Sequence, residues 1–196
     1  LIFSFGLFIS LAFGASLDEG LKANENKNYK KAFQIFEELA LKGNIEAQFY
    51  LGVLYHNGDG VKQDYKKAKE WYEKAANQGD VEAQNFMGDY YFNEENEAHD
   101  YKLAIYWYEK ASKSGSAYAQ YMLGLCNYNG FGVKQSYKSA FKYFEKAAEQ
   151  GDANAQFYLA DCYDKDLGVN QDFELAYQWY MASAEQGNAK AQNGLG

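Results

Sequence analysis

The residues with the clearest claim to covalent chemistry are Ser139 and Lys142, which close an S-x-x-K pattern over Ser139-Ala140-Phe141-Lys142. In an acyl-transferring serine enzyme this pattern works together with S-D-N and K-T-G elements. Neither companion occurs in the chain, and the pattern falls within a helix, in register with Lys67 and Leu103. It reads as a chance match. Cys126 and Cys162 stand one 36-residue period apart and share one column of a buried stripe. Packed helices lie about 8–10 Å apart, whereas a disulfide needs Cα atoms within about 7 Å. Two reduced, buried thiols and no disulfide are expected; the alternative is a bridge between neighbouring units in an oxidising compartment. His56 and His99 fall in unrelated columns, and H-E-x-x-H and C-x-x-C are absent, so no transition-metal site is expected. Glu94, Glu95, Glu97 and Asp100 surround His99 and carry the oxygen ligands a hard cation takes. Without D-x-D-x-D-G spacing, they read as a solvated acidic loop. Neither a metal nor a cofactor is expected.

The elements that hold these residues are set by a repeat. Gly43, Gly79, Gly115, Gly151 and Gly187 follow one another at a 36-residue period, each with Ala-Gln four and five positions later (Ala47-Gln48 to Ala191-Gln192). A period of that length reads as a solenoid or array. After each glycine comes Asn44, Asp80, Ser116, Asp152 or Asn188, all helix N-cap types. A second cap column, Asn28, Asp64, Asp100, Ser136 and Asp172, falls just past the middle of each period. Two capped starts per period mean two helices, A over about 45–57 and B over about 64–77 in the first full unit. Helix A carries a small column (Gly52, Gly88, Gly124, Ala160), and helix B another (Ala32, Ala68, Ala104, Ala140, Ala176) with aromatic columns beside it. One such hairpin cannot bury its apolar stripe alone; stacked neighbours can.

The expected layout is a capping hairpin at 16–42, full units at 43–78, 79–114, 115–150 and 151–186, and the start of a fifth at 187–196. There Leu195 and Gly196 match Leu51 and Gly52, so the chain is expected to stop in mid-helix. Leu1–Ala15 holds 11 apolar residues and no charge. That is too short to span a bilayer and fits the apolar region of a signal peptide lacking its basic start; the alternative is a buried helix. Export to the periplasm or beyond is therefore expected. The mature chain would begin at the Ser16-x-x-Glu19 capping box.

Composition narrows the partners. The net charge is −8, and all 19 basic residues are lysine. An acidic chain without arginine lacks the field and the bidentate forks that grip phosphate backbones, which argues against nucleic acid. There is no proline, which removes collagen-like and Pro-rich readings.

The recurring pattern G-[DNS]-x-x-A-Q-x-x-[LM]-[GA], G-x-G-V and [DS]-[YF]-x-x-A-x-x-[WY]-[YF]-x-x-A resembles the Sel-like repeat, a relative of the tetratricopeptide repeat, over about 17–196. The resemblance implies an all-α, right-handed superhelical solenoid of αα-hairpins with a concave helix-A face. It also implies protein–protein interaction work in an exported bacterial protein. A cysteine-rich branch of that family pairs C-x7-C; the equivalent positions here, such as Ala76 and Gln84, hold no cysteine. Members of that branch are labelled β-lactamases, which makes a weak hydrolase the alternative function.

By analogy with tetratricopeptide grooves, the concave face presents Phe49, Asn85, Phe92, Tyr118, Tyr121, Tyr128 and Phe157. Asn57 and Asn129 belong to a column at the end of helix A. These residues are the expected binding set for a protein or peptide of unknown identity. The third unit is aromatic on this face, whereas its neighbours contribute Asp89 and Asp161. Exposed rings flanked by polar groups resemble binding hot spots. The alternative is that some of the rings fill the core. For the asparagines the alternative is a helix C-terminus, which Asn tolerates because it accepts the left-handed conformation.

Overall fold

A computed structural model describes residues 16–93 and 99–194. The expectations for Leu1–Ala15, for Glu94, Glu95 and Glu97, and for Leu195 and Gly196 lie outside the described residues. The chain divides into two compact units, Leu1–Trp71 and Tyr72–Gly196. Among the described residues every regular element is helical. In order they are α1 (Leu17–Glu25), α2 (Tyr29–Leu41), α3 (Ile45–Asn57), α4 (Tyr65–Asn77), α5 (Val81–Phe92) and α6 (Tyr101–Lys113). Then follow α7 (Ala117–Asn129), α8 (Tyr137–Glu149), α9 (Ala153–Asp164), α10 (Phe173–Glu185) and α11 (Ala189–Gly194).

Both cap columns start helices. Asn44, Asp80, Ser116 and Asp152 each accept from the N–H three residues on, at 2.7–3.1 Å. Asp64, Asp100, Ser136 and Asp172 do so for helices B at 3.0–3.2 Å. The Ala-Gln pair has a clear physical role. The alanine is fully buried, and the glutamine Nε2 donates to a carbonyl eight residues back, at the end of the preceding helix B. The bonds are Gln48 to Ala40, Gln84 to Ala76, Gln156 to Ala148 and Gln192 to Ala184. At these four junctions the same carbonyl also accepts the N–H of the glycine three residues on, so the glutamine adds a second donor at the end of helix B, where the helix itself supplies none.

In the Leu1–Trp71 unit, α1 and α2 form the leading hairpin. A Cβ on Gly20 would meet the Phe36 ring at 2.6 Å. Gly20 therefore takes the small-residue place, although the stretch from Gly20 to Phe36 is shorter than that from Gly88 to Tyr108. The connection between α1 and α2, residues 26–28, is correspondingly short. Phe36 stacks on Tyr50 at 5.2 Å.

In the Tyr72–Gly196 unit, each helix from α5 to α11 packs on the next, and α7 also touches α9. Helix-B rings stack on a ring of the following helix A: Tyr72 on Phe86 at 4.1 Å and Phe144 on Tyr158 at 5.0 Å. Gly124 lets the Phe144 ring lie against the α7 backbone, where a Cβ would overlap it. Cys126 and Cys162 are buried free thiols, and burial pushes the pKa of each up to about 12.

Candidate partner-binding site on the helix-A face

Asp89 lies on α5, one residue beyond Gly88. Because Gly88 has no side chain, Tyr108 of α6 packs onto the α5 backbone, and its hydroxyl donates to Asp89 Oδ1 at 2.7 Å. Tyr118, in the first turn of α7, reaches back and donates to the same oxygen at 2.7 Å. Burial raises the Asp89 pKa, against the opposing effect of the two tyrosine bonds. Beside the carboxylate opens a cavity of about 370 Å³ lined by Asp89, Phe92, Asn93, Tyr101, Tyr118, Met122 and Phe131. Its walls are largely aromatic: Phe92 meets Tyr101 edge-on at 5.3 Å and Phe131 at 5.7 Å, and Tyr101 stacks on Phe131 at 5.0 Å. Met122 stands where Phe86 and Tyr158 place a stacking ring, and it lines the cavity.

The same register recurs two periods on, at Asp161 of α9. Tyr128, at the end of α7, donates to Asp161 Oδ2 at 3.0 Å, and Tyr180 of α10 approaches Oδ1 at 3.5 Å. Lys165, one turn further along, pairs with Oδ1 at 2.5 Å. That bond is the main cause of its raised pKa. The tyrosines of α7 therefore serve both neighbours, Tyr118 reaching back to α5 and Tyr128 forward to α9.

The remaining expected site residues are placed as follows. Phe92 and Tyr118 come together at the cavity, with Tyr118 38% exposed. Tyr121 is half-buried against Phe144 and Tyr158, and burial pushes its hydroxyl up to about 12. Tyr128 packs on Tyr137, Phe144 and Tyr158, so these two rings serve largely as filler between hairpins. Asn85 turns inward: it is buried and its Oδ1 accepts from Ser116 Oγ at 3.1 Å. Phe157 lies 5.7 Å from Tyr180, with the Lys190 ammonium 6.0 Å from its ring centre. Asn129 donates to Leu125 O at 3.0 Å, closing the end of α7. In the other unit, Asn57 donates to Asp59 at 3.2 Å and Phe49 meets Tyr50 edge-on at 5.5 Å. Sequence reasoning placed Asp89 on this face but missed its pairing with Tyr108 and Tyr118. The 19-residue spacing shared by Asp89–Tyr108 and Asp161–Tyr180 is the signal that could have found half of it.

The S-x-x-K residues sit at the start of α8. Ser139 Oγ accepts from Ser136 Oγ at 3.0 Å within the helix cap. Ser139 and Lys142 line a hollow of about 260 Å³ with Tyr143 and Lys146. Among the described residues no group of three or more His, Cys, Asp or Glu side chains could hold a metal ion, and no helix is long and apolar enough to cross a membrane.

Tandem capped hairpins at a 36-residue period, stitched by a glutamine at four of five junctions, define an α-helical repeat protein. The chain belongs to the Sel1 repeat family, whose model matches residues 14–44, 45–80, 81–116, 117–152 and 153–188. Its fold is accordingly an all-α solenoid of tandem αα-hairpins. It is similar to a protective antigen of uropathogenic Escherichia coli strains that displays an SLR fold (37% identity, TM-score 0.84). That match covers 90% of this chain but only 38% of the antigen. It is also similar to a Sel1 repeat protein from Oxalobacter formigenes: 34% identity, 88% of this chain and 72% of the other, TM-score 0.81. Helicobacter pylori cysteine rich protein B shares the fold at 22% identity and TM-score 0.53, over 68% of this chain and 96% of that one. No curated protein matches the chain. Sel1 repeats are typically protein–protein interaction modules.

Proposed function

We propose that the protein is an exported interaction module that holds a segment of a partner protein against the helix-A face of α5 and α7. The carrying observation is the cavity beside Asp89. It joins an aromatic wall to a carboxylate on a face whose other rings mostly pack on one another. Aromatic pockets with a few placed polar groups are where binding energy concentrates. The net charge of −8 favours basic or neutral partners. Export rests on the apolar, uncharged Leu1–Ala15 and is in keeping with the similarity to a protective antigen; a fused reporter active only in the periplasm checks it, and silence of that reporter counts against it.

The site is tested by placing a photo-crosslinking amino acid at Tyr118, or separately at Tyr177, which is 59% exposed on α10. Partner adducts from position 118 and none from 177 are expected. Adducts from 177 alone move the site off this face. The second reading, a β-lactamase-type hydrolase, draws on the hollow beside Ser139 and Lys142. Nitrocefin turnover that disappears in Ser139→Ala would establish it.

A further inference from the structure

The fourth repeat contains the second repeat's carboxylate in a completed form. At Asp161 both oxygens are engaged: Oδ2 by Tyr128, Oδ1 by Tyr180 and the Lys165 ammonium. At Asp89 the two tyrosine hydroxyls both donate to Oδ1, and Oδ2 has no hydrogen-bond partner among the described residues. The position that supplies the ammonium belongs to the column Asn57, Asn93, Asn129 and Lys165. Where the fourth repeat has lysine, the second has Asn93, which lines the cavity. A half-buried carboxylate with one oxygen unpaired and no cation beside it among the described residues carries a desolvation cost that a charged donor would offset.

We propose that the Asp89 cavity receives the side-chain ammonium of a lysine from the partner protein, seated on Asp89 Oδ2 with its alkyl stem against Phe92, Phe131 and Met122. This deepens the partner-binding reading above and rests on it. Charge complementarity runs the right way, because the whole chain carries −8. Aromatic faces attract ammonium groups and accept the apolar stem. The protein uses this chemistry on itself: the Lys110 ammonium lies 4.6 Å and 4.7 Å from the Tyr106 and Trp107 ring centres, and Lys190 lies 5.8 Å from that of Tyr158.

The test is a titration of ¹⁵N-labelled protein with Nα-acetyl-lysine methylamide, followed by NMR, with the norleucine analogue as the uncharged control. Saturable shifts at Asp89, Phe92 and Tyr118 with the lysine probe alone are expected. Asp89→Asn, which keeps the shape and removes the charge, should weaken binding about tenfold or more. Asn93→Lys should abolish it by supplying an internal ammonium, with the circular dichroism spectrum unchanged. Absence of saturable shifts, equal binding of the norleucine probe, or undiminished binding to Asp89→Asn would overturn the inference. Crosslinking from position 118 that persists without lysine binding removes this inference and leaves the partner site standing; loss of both removes the site as well.

Discussion

The second and fourth repeats start from nearly the same plan and diverge in how far each satisfies itself. The fourth gives Asp161 a lysine, and Gln186 at its end donates to Gln156 Oε1 at 2.8 Å. Gln150 serves Gln120 in the same way at 2.7 Å. The second repeat has Asn93 in place of the lysine and Ser114 in place of that glutamine. Ser114 is too short to make the bond, and Gln84 Oε1 is left buried without a hydrogen-bond partner among the described residues. The small column differs too. With Gly88, Tyr108 closes to 2.7 Å from Asp89; with Ala160, Tyr180 stands 3.5 Å from Asp161. One repeat is internally closed, and the other keeps polar groups open. That difference marks where an array of near-identical parts can take a partner.

The comparison can be broken most strongly at Gly88. Gly88→Ala drives a methyl into the Tyr108 ring and should cost about 2–3 kcal/mol in urea unfolding, whereas Ala160→Gly should cost only about 1 kcal/mol. Equal costs would mean that the two tyrosines are not held differently. Next comes Lys165→Met. Asp161 is 5% exposed and loses its cation, but the lysine side chain is 57% exposed, so the expected loss is about 1–2 kcal/mol. A thermal midpoint unmoved by this change would show that the ion pair contributes nothing. The smallest effect sharpens the contrast instead of breaking it. Ser114→Gln should restore the missing bond to Gln84 and raise stability by about 1 kcal/mol. Ser114 and Gln150 end their helices with nearly the same backbone angles, φ −88° and −83°, so the longer side chain can follow the same path. An unchanged or lowered midpoint would count against the glutamine ladder.

Much of the fold is legible in the residues because the period repeats every local signal. Asn44 and Asp80 read as caps for the same reason that they act as caps: a short side-chain oxygen next to free N–H groups. The start and end of α3 match the sequence reading of helix A over about 45–57. The leading hairpin is less legible, since Gly20 reaches its ring across a shorter connection and falls out of the repeat register. The site is legible only in part. Phe92 and Tyr118 read as exposed rings on one face, and they do line one cavity. The pairing of Tyr118 with Asp89 crosses from one repeat to the next. It joins columns that the alignment keeps apart: elsewhere the Tyr118 column holds Glu46, Glu82, Asn154 and Lys190. Side-chain reach across neighbouring helices sets it, and periodicity is silent about reach. Asn85 read as groove-facing for the complementary reason. Its position on the helix points along the groove side, yet Ser116 from the next helix A draws its oxygen inward.

The glutamine at each junction also constrains how such a gene can change length. A helix-B terminus is finished by a residue of the following repeat, eight positions downstream, so no repeat is complete in isolation. A change of length by one whole period keeps the eight-residue spacing of these bonds, while an insertion between the helix end and its glutamine costs that carbonyl its second donor.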